Sequence, residues 1–336
     1  MPAPDAPADA GGGSPIIEVR DLRRDFVVRR AVGRLRRDRQ VVRALDGITL
    51  SIAPGECVGY IGANGAGKST TIKILTGVLV PTAGEVRVCG MQPISRRRDL
   101  ARRIGVVFGQ RSQLWWDLPL AESFRLLAAI HRMPERVWRD RLAECVELLD
   151  LDSFLRTPVR QLSLGQRMRG EVTAALLHSP ELLVLDEPTI GLDIVSRERL
   201  RGFLAEERRR RGTTILLTTH DLPDIERLCE RLLVVDHGRL VFDGSLAALA
   251  ARVGAQRILV VDLVEPTAPL DDVPGTTLLG TEAGGLRQQL AIDTAAGVTA
   301  AAVVAQVSAR ASLRDLAVLE PEIETVVAKL YEQPDK

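Results

Sequence analysis

The stretch Gly62-Ala63-Asn64-Gly65-Ala66-Gly67-Lys68-Ser69, continued by Thr70, decides how this chain is read. It fits the pattern GxxxxGK[ST], a loop that cradles phosphate. The residues before it, ECVGYIG at 56–62, read as a strand. Lys68 opens a segment over 68–79 with Ile72, Leu75 and Leu79 on one helical face. Strand, glycine-rich loop and helix in that order let backbone N–H groups and the positive end of a helix converge on one point. Lys68 then reaches the β- and γ-phosphates and the Ser69 hydroxyl ligates Mg²⁺. Only four of the 45 basic residues are lysines, and one stands where a compact ammonium suits phosphate better than a planar guanidinium.

A second stretch, Glu181-Leu182-Leu183-Val184-Leu185-Asp186-Glu187-Pro188, reads as a buried strand ending in two acids. Neighbours on a strand point to opposite sides, so the two acids are expected to do different work. Asp186 is placed to hold Mg²⁺ through water. Glu187 is placed to orient and polarise an attacking water as general base.

Outward from these stretches the chain organises itself. At 336 residues it has room for about two domains. Forty-five basic residues against 44 acidic ones leave a net charge of +1, so no global field points to nucleic acid, and no nucleic-acid partner is expected. Cys57, Cys89, Cys145 and Cys229 are too far apart in sequence for a disulfide framework and fit a reducing cytosol. No apolar run reaches the roughly 18 residues a bilayer span needs. Residues 1–15, almost all Ala, Pro, Gly and Asp, read as a disordered tail without the features of a signal peptide. Residues 16–250 read as an α/β core. Alternation over 48–52 and short β runs at 85–89, Ile104–Phe108, 182–185, Thr214–Thr218 and 232–235 are separated by helical stretches. From about 111 to 180 the pattern is helical only (121–130, 134–149 and 166–178), which reads as an inserted helical subdomain. A helix over 195–211 ends in four arginines followed by Gly212, a stop signal. Residues 251–336 form a separate small domain, with strands over 258–263 and 288–292 and helices over 298–307 and 320–331. The segment 29–43, with seven arginines and the single acid Asp38, reads as a solvated insertion, with a membrane-surface contact as the alternative.

Taken in order, these motifs resemble the nucleotide-binding subunits of ABC transporters over about residues 16–250. GANGAGKST and VLDEP are two of the family's landmarks. Leu162-Ser163-Leu164-Gly165-Gln166 is similar to its signature LSGGQ, Gln110 to its Q-loop glutamine, Ile190-Gly191-Leu192-Asp193 to its D-loop, and His220 to its switch histidine. Phe26 sits where the family stacks an aromatic ring on adenine. The fold this implies is a P-loop NTPase core with an antiparallel β subdomain, the inserted helical subdomain and a small C-terminal α/β accessory domain. The implied cofactors are ATP and Mg²⁺. The nucleotide contacts are Phe26, Gly62, Ala63, Asn64, Gly65, Ala66, Gly67, Lys68, Ser69, Thr70, Ser163, Gly165, Gln166 and Asp193. The metal is held by Ser69, Gln110 and Asp186, and catalysis falls to Glu187, His220 and Gln110. The resemblance also implies that Ser163 and Gly165 act across a dimer of two such chains, a homodimer being the simplest case. Leu164 departs from the usual glycine of the signature.

GQRSQLWWDLP, LSLGQRMR, DEPTIGLD and the C-terminal VLEPEIETVVAKLYE are similar to ATPases of the ABC-2 type, usually exporters whose multi-span membrane subunits are separate chains. The implied place is the cytoplasmic face of the cell membrane, peripherally attached. Trp115 and Trp116, after the Q-loop, are then either anchors for a membrane subunit or subdomain core. A soluble ABC ATPase acting on ribosomes or DNA is the competing reading, supported only by the arginines of 29–43.

Overall fold

The computed structural model describes residues 14–32, 36–109, 112–219, 221–293, 297–319, 326, 327 and 330, with backbone alone at 29–32 and 36–39. Residues 1–13 of the expected tail, Gln110, His220 and all of the expected 320–331 helix except 326, 327 and 330 lie outside the described residues. The chain divides into two units, Met1–Asp243 and Gly244–Lys336.

In the first unit, strand β1 (Ile17–Val32) pairs antiparallel with β2 (Arg36–Ile52), from Ile17 opposite Ile52 to Val32 opposite Arg36. The described backbone of the arginine-rich segment, residues 29–32 and 36–43, continues these two strands. The cause lies just before the arginines, where Phe26 faces Val42 and Val27 faces Val41 across the strands, both pairs of strong β-formers. Strand β3 (Cys57–Gly62) leads through the glycine loop into α1 (Lys68–Leu75). This helix stops earlier than its apolar period suggests, and the Thr76 hydroxyl donates back to the Ile72 carbonyl at 2.8 Å. Strand β4 (Ala83–Val88) returns to β1 and completes a three-stranded antiparallel sheet.

After α2 (Arg97–Leu100) and β5 (Ile104–Phe108) come the helices of the insertion: α3 (Leu120–Ile130), α4 (Glu135–Leu149) and α5 (Leu164–Leu176). The chain then returns through β6 (Leu182–Asp186), α6 (Ile194–Arg211), β7 (Thr214–Thr218), α7 (Leu222–Leu228), β8 (Arg231–Asp236) and β9 (Arg239–Gly244). The second sheet has the order β5-β6-β7-β3-β8-β9, with parallel pairing from β5 through β8. LLVL of β6 and TILLT of β7 are buried on both faces, which is what a parallel sheet covered on two sides demands. One face packs on Phe124, Leu151, Met168 and Phe203 of the helical side, and the other, which carries Tyr60, on Ile17 of the antiparallel sheet and Ile72 of α1. Each such side chain contributes roughly 1.5–3 kcal/mol by leaving water. The sequence reading missed α7, a short helix with a proline in its first turn, and β9, which is half exposed.

The second unit begins with α8 (Leu246–Arg252). Strands β10 (Arg257–Leu263), β11 (Thr276–Glu282) and β12 (Arg287–Ile292) follow, then α9 (Ala300–Ser308) and β13 (Leu313–Leu319). The strands form one antiparallel sheet in the order β11-β12-β10-β13. Val303 and Val307 of α9 bury themselves with Leu259, Val261 and Leu290. The apolar pattern revealed β10 and β12, the inner pair. It did not reveal β11, where the register shifts between Leu278 and Gly280, or β13, whose side chains are mostly exposed. Among the described residues no helix is long and apolar enough to cross a membrane.

Candidate functional site

Strands β3, β5, β6 and β7 run in one direction and so end on one edge of the sheet. That edge of an open parallel sheet is where ligands are held. β3 runs into the loop 62–67, β6 ends at Asp186, and β5 and β7 precede Gln110 and His220 in the sequence. Phe108, Asp186 and Thr218 are register partners across the edge.

The loop is shaped by its neighbours. Gly67 has φ 109, and a β-carbon there would lie 2.7 Å from both the Ala44 carbonyl oxygen and Leu45 Cδ2, so only glycine fits. The Ala66 carbonyl accepts the Gly238 N–H at 3.0 Å, and the Ala66 N–H donates to the Ala63 carbonyl at 3.1 Å. Ala63, Asn64 and Gly65 form an exposed rim. Helix α1 starts at Lys68, and among the described residues no side chain caps it. Its first-turn N–H groups are thus left for an anion. Ser69, exposed, and Thr70, half-buried, lie in that same turn. This cradle fits a polyphosphate.

The Lys68 ammonium donates to the carbonyls of Gly62 at 2.5 Å and Ala63 at 3.1 Å. Burial pushes it below the ordinary lysine value, and the negative charges of Glu187 and then Asp186 work against that shift. The loop lysine and both acids therefore share one electrostatic environment. Asp186 Oδ1 accepts the Thr218 hydroxyl at 2.6 Å, which orients the carboxylate. The Ser69 hydroxyl and the Asp186 carboxylate are hard oxygen donors of the kind Mg²⁺ prefers.

Contrary to the expectation from sequence, the two acids do not sit on one strand. Strand β6 ends at Asp186, and Glu187 lies beyond it in the left-handed region with φ 58, its N–H donating to the Thr218 carbonyl at 2.9 Å. Glu187 therefore stands off the strand, and strand alternation does not set its direction relative to Asp186. A non-glycine residue held in that conformation costs of order 1 kcal/mol, a strain that clusters at working sites.

Phe26 is half-buried on β1, with the Arg24 guanidinium 4.6 Å from its ring centre. Its strand partner Val42 is two residues from Ala44, whose carbonyl abuts Gly67.

Ser163 is the N-cap of α5. Its Oγ accepts the Gln166 N–H at 3.2 Å while Gln166 Oε1 accepts the Ser163 N–H at 2.9 Å, a reciprocal capping box. The cap uses the serine oxygen as acceptor and leaves its proton free to donate. Gly165 sits near Leu192, and Leu164 lies against Gly191, so the signature turn and the 190–193 turn touch within one chain. Asp193 caps α6, accepting the Ser196 N–H and hydroxyl, each at 2.8 Å. Those hydrogen bonds hold its carboxyl below the usual range. Trp115 and Trp116 are 37% and 51% exposed, which argues against a core role for either.

Sequence reasoning passed over three residues. Thr218 orients Asp186, and its signal was a hydroxyl directly after the apolar run 215–217. Glu171, a buried acid on α5, carried the signal of a charge within an apolar helical face. Ala44 shapes the loop only through its backbone and left no signal at all.

A family model described as "ABC transporter" matches residues 45–190. The Nod factor export ATP-binding protein I of Paraburkholderia xenovorans (strain LB400) is 40% identical over 248 residues, covering 70% of this chain and 79% of that protein. The protein of the same name from Rhizobium sp. (strain N33) is 39% identical with the same coverage. Among solved structures, an ATP-binding subunit of an ABC transporter superposes with a TM-score of 0.61 at 27% identity, over 71% of this chain and 94% of that one. A dimeric ATP-binding cassette in a post-hydrolysis state with ADP and Pi gives 0.59 at 26% identity, over 68% and 98%. The cassette cbiO1 of Clostridium perfringens, part of the transporter complex cbiONQ, gives 0.58 at 26% identity, over 71% and 96%.

Proposed function

We propose a role for a chain that belongs to the family of ABC transporter ATP-binding subunits, and that as such binds and hydrolyses ATP: it powers export through separate multi-span membrane subunits by closing on a second copy of itself. The observation that carries this reading is that β3 runs into the glycine loop and Lys68 while β6 ends at Asp186 on the same sheet edge, with Lys68 feeling the charges of Glu187 and Asp186. The export direction follows the names of its relatives. The second copy is supported by the exposed apolar side chains of Leu164, Ile190, Ile194 and Val195 around the signature and 190–193 turns, an unusual surface for a monomer. Trp115 and Trp116 are the proposed contact with the membrane subunits, which sets the chain at the cytoplasmic face of the membrane as a peripheral subunit.

In this mechanism the loop 62–70 holds the triphosphate through N–H groups and Lys68, and Phe26 stacks on the base. Ser69, Asp186 and Gln110 are the proposed holders of Mg²⁺, which when bound neutralises charge on the β- and γ-oxygens. The partner's copy of the signature turn offers the Ser163 hydroxyl, Gly165, Gln166 and the N-terminus of α5 to the γ-phosphate. Asp193 shapes the adjoining turn. Glu187 and His220 orient the attacking water, Glu187 taking its proton. The departing phosphate removes the anion both chains were sharing, and the dimer opens.

The test is Glu187→Gln in the full chain. Loss of the general base lowers turnover by on the order of 10²–10⁴ while ATP binding persists, so the variant accumulates an ATP-dependent dimer in sedimentation. Ser163→Arg abolishes that dimer and keeps nucleotide binding by the single chain. Normal steady-state ATPase in Glu187→Gln, or an unchanged dimer with Ser163→Arg, overturns the reading.

A further inference from the structure

Helix α5 begins at the signature serine and is tied, eight residues further on, to the segment that follows Gln110. Glu171 is 5% exposed. One of its carboxylate oxygens accepts the Ser112 hydroxyl and the other accepts the Gln113 N–H at 3.2 Å. The Gln113 side-chain amide donates back to the Glu171 carbonyl at 3.1 Å. A buried carboxylate is expensive unless its lone pairs are filled, and here a short stretch of loop fills them. Gly170, next to it, packs against Leu114 and Leu120, where a β-carbon would lie 3.2 and 2.9 Å from their methyl groups. The two-residue stretch Ser112–Gln113 is therefore held by α5 from several directions, and Gln110 lies two positions before it in the sequence.

We propose that Glu171 is a positioning residue that locks the segment after Gln110 to α5, so that the state of one nucleotide site sets where the same chain presents Ser163 to the other site. An α-helix is stiff over this distance, about 12 Å at 1.5 Å per residue, so a displacement at Ser112 reaches the signature turn. The bond between the two is a carboxylate with two donors, stronger than a neutral contact. Covering an apolar helix face would not call for a carboxylate there. Its presence costs desolvation, and burial indeed pushes the carboxyl above the ordinary glutamic acid value.

This inference rests on the proposed split-site function, and the experiment separates the two. The full chain is prepared with Glu171→Ala, Glu171→Gln, Ser112→Ala and Ser112→Thr, each alone and combined with Glu187→Gln. Three quantities are read: affinity for a fluorescent ATP analogue, the ATP concentration giving half-maximal dimer in the Glu187→Gln background, and kcat against KM. Glu171→Ala and Ser112→Ala should leave nucleotide affinity within about twofold, raise the half-dimer ATP concentration by roughly fivefold or more and lower kcat by about tenfold. Ser112→Thr, which restores a hydroxyl, and Glu171→Gln should both return near wild type. The glutamine oxygen accepts the Gln113 N–H while its amide donates to a rotated Ser112 hydroxyl. A merely structural role would lower affinity, dimerisation and melting temperature together and would not be rescued by the hydroxyl alone. Wild-type dimerisation in folded Glu171→Ala, or in Ser112→Ala should the first variant fail to fold, overturns the inference while the split-site function stands. A Glu187→Gln chain that never dimerises overturns both.

Discussion

Leu164 of the signature turn lies across Gly191 of the neighbouring turn, so closely that a β-carbon on Gly191 would overlap the leucine side chain. Gly191 also has φ 71, a backbone that side chains resist. The departure from the family's usual glycine at 164 is therefore compensated within the chain. Gly191→Ala should lower stability by about 1–2 kcal/mol and slow ATP turnover, because overlap and backbone strain add. Leu164→Ala in the same chain should recover the part due to overlap. A double-mutant cycle on melting and on kcat checks this, with a coupling of at least ~0.5 kcal/mol expected. Additive effects would show that the two turns do not lean on each other.

Lys68 donates to two carbonyls and feels the negative charges of Glu187 and Asp186. Arginine carries the same charge in a larger planar fork that those partners cannot satisfy, and 9% exposure leaves it little room to turn outward. Lys68→Arg should therefore lose ATP affinity by tenfold or more, about as badly as Lys68→Ala. Equilibrium binding of a fluorescent nucleotide decides it. An arginine variant that binds as wild type would mean that charge alone, and not its placement, serves the loop.

Much of this was legible beforehand because the chemistry is local. Gly67 through Ser69 form a contiguous word, and Asp186-Glu187 end a strand too apolar to be anything but core. The signature serine was found through the likeness of residues 162–166 to LSGGQ, and the structure adds that it closes a capping box with Gln166. What stayed hidden depends on partners distant in sequence. Glu171 looks like any helical acid until Ser112 is placed beside it, and Ala44 matters only because its carbonyl meets Gly67. The left-handed Glu187 could not be read from a residue type that seldom adopts that conformation. The strand continuation through the arginines was obscured by charge, since strand pairing there is set by valines and phenylalanine upstream.

Arg141 of α4 and Glu207 of α6 form an ion pair at 2.7 Å, with side chains only 3% and 2% exposed. It links the helical insertion to the helix that follows the 190–193 turn. Arg141 also bonds Glu144 at 2.7 Å and the Leu176 carbonyl at 3.3 Å, so its charge is well met. Arg141→Leu leaves the buried Glu207 charge partly stranded, with only Arg211 at 3.6 Å and the Thr213 hydroxyl at 3.4 Å beside it, and should cost about 3 kcal/mol. Replacing both residues by leucine should return more than half of that loss. Urea denaturation of the three variants tests the claim. A double variant less stable than the single one would mean that the pair itself, not the stranded charge, supplies the stability.

Glu171 gives a prediction whose sign depends on pH. Burial raises its carboxyl above 4.5, opposed by Ser112, Gln113 and the nearby Arg167 charge. Between that ordinary value and the folded one, the folded chain holds a proton the unfolded chain has released. Stability from this group therefore falls as pH rises through the window. Glu171→Gln removes the titration and keeps the shape. The variant should melt at or above the wild-type temperature at pH 7, and the advantage should shrink as pH falls toward 4.5. Calorimetry across that range measures it. A wild type that is the more stable protein at neutral pH would show that the hydrogen bonds to Ser112 and Gln113 outweigh desolvation, and that the acid is kept for stability instead of for coupling the two nucleotide sites.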